Sequence, residues 1–144
     1  MKKHPRMLAE AGISPARYAE LRDICRQYRE MRQTVALVER YGHHRFDLPV
    51  GGFRDPTGNT AALAASMPEA RRVRMIEQAA ATAGGKAIGR AILRSVTEGM
   101  DYERLRAARD QRDRPPCGQR QFYRIRLAFY VELDRRLWED GIGG

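Results

Sequence analysis

A chain of 144 residues has room for one ordinary domain, or for a small domain with an extension. Its apolar fraction of 42% is slightly low and its charged fraction of 31% somewhat high, which suits an elongated helical protein better than a compact enzyme core. A net charge of +9 attracts polyanions through counterion release, so nucleic acid is the leading class of partner and an anionic membrane a weaker one; no apolar run approaches the ~20 residues needed to span a bilayer.

The first twelve residues, MKKHPRMLAEAG, are basic but lack a continuous apolar stretch, and do not read as a secretion signal. The two cysteines, Cys25 and Cys117, lie far apart, which fits a cytoplasmic chain with two free thiols. Ser14-Pro15 is a helix start, serine as N-cap and proline at the first helical position. From there Tyr18, Leu21, Cys25, Tyr28, Met31, Val35 and Val38 recur at alternating spacings of three and four. The spacing predicts one helix over 15–41, within a first segment 1–41. Its stripe either pairs with a second copy of the chain or packs on the chain's own second half.

Gly42 is the expected end of that helix. The segment 42–59, with Gly51, Gly52, Pro49, Pro56 and Gly58, reads as a loop or linker. His43 and His44 within it have no acidic or cysteine partner at ligand spacing, so no metal is assigned. Asp55-Pro56 restarts a helix, and 60–144 is read as the C-terminal domain. Its alanine-rich first part has an apolar side of Leu63, Met67, Val73, Ile76 and Ala80 and a break at Pro68. Gly84-Gly85 stops it. GGKAIG is not a phosphate loop: the glycine expected five residues before Gly85 is Ala80, and Lys86 is followed by Ala87 instead of Ser or Thr.

A further helix runs from Lys86 to Glu98, with Ile88, Ile92, Leu93 and Val96 inward and Gly99 as a stop. Asp101 caps a short helix whose Tyr102, Leu105 and Ala108 share one side. DQRDRPP is a polar turn, and a last long helix follows from about Gly118 to Glu139. At 100° per residue Phe122, Ile125, Phe129, Leu133 and Leu137 of that helix fall within roughly 120°, and are core positions. Arg120, Gln121, Arg124, Ala128 and Arg135 lie on another side, a set of fork donors, an amide able to pair with adenine, and a small residue. A helix lying in the major groove with its N-terminal turns nearest the bases needs those residue types. Tyr123, Leu127, Tyr130 and Trp138 fill the arc between, and meet either the N-terminal helix or a second subunit. The candidate oligomer interface is therefore Tyr18, Leu21, Cys25, Tyr28, Val35, Tyr130 and Trp138.

The segments YAELRDICRQYREMRQTVALV, DPTGNTAALAA and PPCGQRQFYRIRLAFYVELDRRL resemble those of phage and prophage-encoded transcriptional regulators of the ArpU/RinA type. The resemblance implies a sigma-like helix-turn-helix, control of late genes, sequence-specific binding to double-stranded DNA near a promoter, and contact with RNA polymerase. Carried over, Gln119, Arg120, Gln121, Tyr123 and Arg124 fall in the reading part of the last helix, with Arg135 farther along the same face. The long DQRDRPP turn departs from a tight helix-turn-helix.

The expected protein is thus all-α: a long N-terminal helix plus a C-terminal helical bundle with a DNA-binding unit, paired as a homodimer through the first helix. The runner-up readings are a DNA-packaging protein of the small-terminase type and an adaptor whose basic helices bind an acidic protein. No nucleophile–base pair, metal cluster or carboxylate dyad stands at a recognisable spacing, so no enzymatic activity, cofactor or membrane association is assigned.

Overall fold

The computed structural model describes residues 3–41 and 64–141, and every regular element among them is helical. Helix α1 (Arg6–Glu10) follows Pro5, in a stretch whose sequence shows no helical period. Two apolar side chains suffice to hold it: Leu8 and Ile13 are both buried, and the Ile13 N–H donates to the Leu8 carbonyl at 2.9 Å. Helix α2 (Pro15–Arg26) begins as its sequence requires, with Ser14 Oγ accepting the Arg17 N–H at 3.0 Å and proline where a free N–H would have no partner.

The single helix expected over 15–41 is interrupted. Helix α3 (Tyr28–Tyr41) starts after Gln27, whose N–H is shared between the Asp23 and Ile24 carbonyls at 3.3 and 3.2 Å. Such a three-centre bond tightens the last turn and marks a helix end. The expected stop at Gly42, the 42–59 loop and the Asp55-Pro56 start lie outside the described residues.

The break expected at Pro68 is present, with Met67 non-helical between helical residues 64–66 and helix α4 (Pro68–Glu98). Within α4, Gly85 adopts φ 65°, ψ −165°, a conformation that an L side chain resists, and divides the helix into two arms. The arms meet closely there. A Cβ on Gly84 would stand 2.6 Å from the Gly89 backbone nitrogen, and one on Gly89 would stand 3.1 Å from the Ala80 carbonyl oxygen. GGKAIG is therefore a helix corner built on backbone-to-backbone contact.

Gly99 (φ 70°) ends α4 and donates its N–H to the Ser95 carbonyl. Asp101 Oδ1 then accepts the Arg104 N–H at 2.9 Å and caps helix α5 (Tyr102–Arg106). A single 3-10 turn (Gln111–Asp113) interrupts the connection to helix α6 (Gln119–Glu139), which Gly118 caps without a side-chain bond.

The chain divides into two compact units, residues 1–27 with 75–144 and residues 28–74, a division at 27 and 74 where the sequence suggests 41 and 59. In the first unit α6 is the shared partner: α1, α2 and α5 all pack on it. Phe122, Phe129, Leu133 and Leu137 are fully buried, each worth roughly 1.5–3 kcal/mol relative to exposure. Ile125, expected with them, is half-buried. Arg17 Nε donates to Asp134 Oδ1 at 2.7 Å with both side chains largely buried, and Tyr18 meets Tyr130 edge-on at 5.1 Å, which joins α2 to α6. In the second unit Tyr28, Met31, Val38, Ala64 and Ala70 are buried, while Leu37 and Tyr41 are exposed.

Candidate nucleic-acid interface

Between residues 101 and 126 the chain carries eight arginines against four carboxylates. Which guanidinium groups face solvent without a partner depends on the local structure. The segment from α5 to α6 is tied at several points. Tyr102 donates its hydroxyl to the Cys117 carbonyl at 2.6 Å, and the Tyr102 N–H donates to the Tyr123 hydroxyl at 3.0 Å. The rings of Tyr102 and Phe122 pack at 5.7 Å. One aromatic residue thus fixes the start of α5 to the start of α6.

The connection itself is held by arginines. Arg114 Nε donates to the Ala108 carbonyl at 2.6 Å and its Nη2 to the Arg109 carbonyl at 3.3 Å, so one cation bridges two carbonyls of the connection just past the end of α5. Asp113 is buried on the 3-10 turn and accepts from Arg90 Nε and, at 3.0 Å, from Arg94 Nη1. Burial of one carboxylate is compensated by two charge-assisted bonds. Asp110 accepts the Arg112 backbone N–H at 2.9 Å and pairs with the guanidinium groups of Arg112 and Arg90; the Arg112 bonds hold its carboxyl far below the usual carboxylate range. DQRDRPP, a polar turn by its composition, is thus an ion-pair hub. Its signal was the Asp-x-x-Asp spacing opposite Arg90 and Arg94, four residues apart on one helix face.

At the far side of this tied connection, Gln119, Arg120, Gln121 and Arg124 are exposed on the first turns of α6. With Gly118 and Ile125 they line a shallow groove of about 580 Å³. Arg120 and Arg124 have no hydrogen-bond or ion-pair partner among the described residues. Four of the expected contact residues are therefore together, exposed and unengaged.

Two others are placed differently. The Tyr123 hydroxyl is occupied by the Tyr102 N–H and its ring is covered by the Arg126 guanidinium at 4.5 Å, so it is a structural residue of the α5–α6 junction. Arg135 is saturated: Nη1 donates to Glu139 at 2.6 Å, and Nε and Nη2 donate to Glu132. Those carboxylates raise the guanidinium pKa further, and Arg135 in turn holds the Glu132 carboxyl below its ordinary range, with help from Arg136. Arg135 is a member of an intrahelical ion-pair cluster, and its charge is matched.

The residues expected at an oligomer interface are largely enclosed by the chain itself. Leu21, Cys25 and Tyr130 are buried in the first unit, and Tyr18 packs on Tyr130. Burial pushes the Cys25 thiol up to about 12. In the second unit Tyr28 is buried and Val35 half-buried. Of the set only Trp138 stands open, 57% exposed with the Arg17 guanidinium 5.6 Å from its ring centre. Three- and four-residue spacing is shared by coiled-coil seams and by helices packed within one chain, and the stripe follows the second pattern in α2.

No group of three or more metal-ligating side chains occurs among the described residues, and no described helix is long and apolar enough to cross a membrane. No family model, no curated protein and no solved structure matches the chain.

Proposed function

We propose that this chain binds double-stranded DNA, with α5 and α6 forming a relaxed helix-turn-helix and the first turns of α6 entering the major groove. The observation that carries this reading is the set Gln119, Arg120, Gln121 and Arg124, exposed and unpaired on the end of α6 that Tyr102 and Tyr123 anchor. Arginine forks fit guanine edges or phosphates, and glutamine amides fit adenine edges. A rigid support matters because base readout fails when the reading helix is free to shift. The biological role we infer is regulation of phage or prophage late genes, with RNA polymerase and a second copy of the chain as partners; the exposed Trp138 is available to such a partner.

Selection of bound fragments from a phage-genome library, followed by fluorescence anisotropy on the enriched site, tests the reading. Arg120→Ala combined with Arg124→Ala is expected to weaken binding at physiological salt on the order of 100-fold while circular dichroism stays unchanged. Unchanged affinity in that variant overturns DNA reading by α6. A particle mass near eight or more subunits in light scattering would replace the regulator by a packaging role.

A further inference from the structure

A second concavity, of about 570 Å³, lies wholly within the first unit, between α2, the second arm of α4, the turn at Gly99–Asp101, and α6. None of Gln119, Arg120, Gln121 or Arg124 lines it. Its α6 residues, Tyr123, Arg126 and Tyr130, sit on an arc of the helix centred roughly 105° from that of Arg120 and Arg124. Its volume is in the range of small-molecule sites, roughly 300–1,000 Å³.

Three guanidinium groups line this cleft, those of Arg22, Arg26 and Arg126, against one carboxylate, Asp101. Asp101 is engaged as the N-cap of α5. Arg22 has no carboxylate partner among the described residues, and Arg26 only a long, exposed contact with Asp23 at 3.8 Å. Arg126 gives one N–H to Ser95 Oγ at 3.1 Å. Positive charge is thus concentrated there and left largely uncompensated.

The aromatic residues show what kind of ligand this suits. Arg22 lies over the Tyr18 ring at 4.7 Å and Arg126 over the Tyr123 ring at 4.5 Å. Stacking holds a guanidinium flat and restricts its rotamers, yet leaves its N–H donors free at the edge for in-plane bonds. Ring faces covered in this way do not stack a base. Pre-oriented forks match the oxygens of a tetrahedral oxyanion.

We propose that this cleft is a phosphate-binding site, in which Arg22, Arg26 and Arg126 clasp a phosphate group. Two sources offer that chemistry, a phosphorylated small molecule and the DNA backbone. The site is independent of the α6 reading face.

The test uses the full chain and two probes. Inorganic phosphate and pyrophosphate are titrated by calorimetry against chloride at matched ionic strength, and a random duplex is titrated by anisotropy across a salt series. Arg22→Gln and Arg26→Gln, both at exposed positions, are compared with Arg126→Gln and with the Arg120→Ala/Arg124→Ala pair. Saturable phosphate binding weakened at least tenfold by Arg22→Gln and Arg126→Gln, and retained by the Arg120/Arg124 variant, assigns the site to a phosphorylated small molecule. Absence of saturable phosphate binding, with the salt slope of duplex binding reduced by about one per variant, assigns it to the DNA backbone. If Arg22→Gln and Arg26→Gln alter neither titration, the proposal is overturned, whatever Arg126→Gln does to folding. Loss of duplex binding in the Arg120/Arg124 variant alone speaks only to the α6 reading.

Discussion

The two ends of α6 carry arginine in similar density and treat it in opposite ways. At the N-terminal end Arg120 and Arg124 extend into solvent with no partner among the described residues. At the C-terminal end Arg135 is matched by Glu132 and Glu139, and Arg136 reaches Glu132 at 2.6 Å, Gln78 at 2.9 Å and Thr82 at 3.1 Å. The first pair is available to an external anion; the second closes the protein's own surface and fastens α6 to the first arm of α4. Arginine content alone does not define a nucleic-acid face. Carboxylates one turn away decide whether a guanidinium is a contact or a brace.

The contrast makes graded predictions. Phe129→Ala, in the fully buried middle of α6, should lower unfolding stability by about 4 kcal/mol in denaturant titrations and remove both ends' functions together. Asp113→Asn takes a charge from under Arg90 and Arg94, and should cost ~2 kcal/mol while loosening the support of the N-terminal end. Hydrogen exchange should then show faster exchange in 107–118 than in the second half of α6. Equal exchange in both would mean that the connection is not what steadies the reading turns.

A smaller effect comes from pH. Cys25 is buried on the inner face of α2, with its thiol raised from about 9 to about 12. The unfolded chain therefore releases a proton that the folded chain retains, and stability present below about pH 9 falls as pH rises towards 12, on the order of 1 kcal/mol per pH unit. Tyr130, raised by burial, adds to the same loss at the upper end. Urea midpoints measured from pH 8 upward, compared with Cys25→Ser, would reveal it; a flat profile would mean that the α2–α6 seam is open to solvent. The least effect is expected from Arg135→Ala. Because its exposed ion pairs are local to the helix, DNA affinity should stay within about a factor of two, in contrast to the Arg120/Arg124 variant. A comparable loss in both would erase the distinction between the two ends.

Much of the framework was legible in the residues. Ser14-Pro15, the break at Pro68, the stop at Gly99 and the Asp101 cap are local signals, since each satisfies or removes a backbone group within a turn or two. The core face of α6 was legible for the same reason, through its 3.6-residue period. The interruption at Gln27 was not, because Gln27 itself carries no breaking signal and remains near helical angles. The α1 helix was not legible, because two buried residues, Leu8 and Ile13, are too few to make a period.

Sequence by itself therefore determined the all-helical character, most helix starts, and the separation of α6 into an apolar and a basic side, all set by spacing and backbone chemistry within a few residues. Local spacing also marks Arg135, with Glu132 and Glu139 three and four residues away; only the tertiary structure decided which arginines are committed across the fold. Arg94 and Arg90 are committed to Asp113 across 19 and 23 residues, Arg17 to Asp134 across 117, and Tyr123 to Tyr102 across 21. Those partners are chosen by how the helices pack, which brings together residues far apart in the chain.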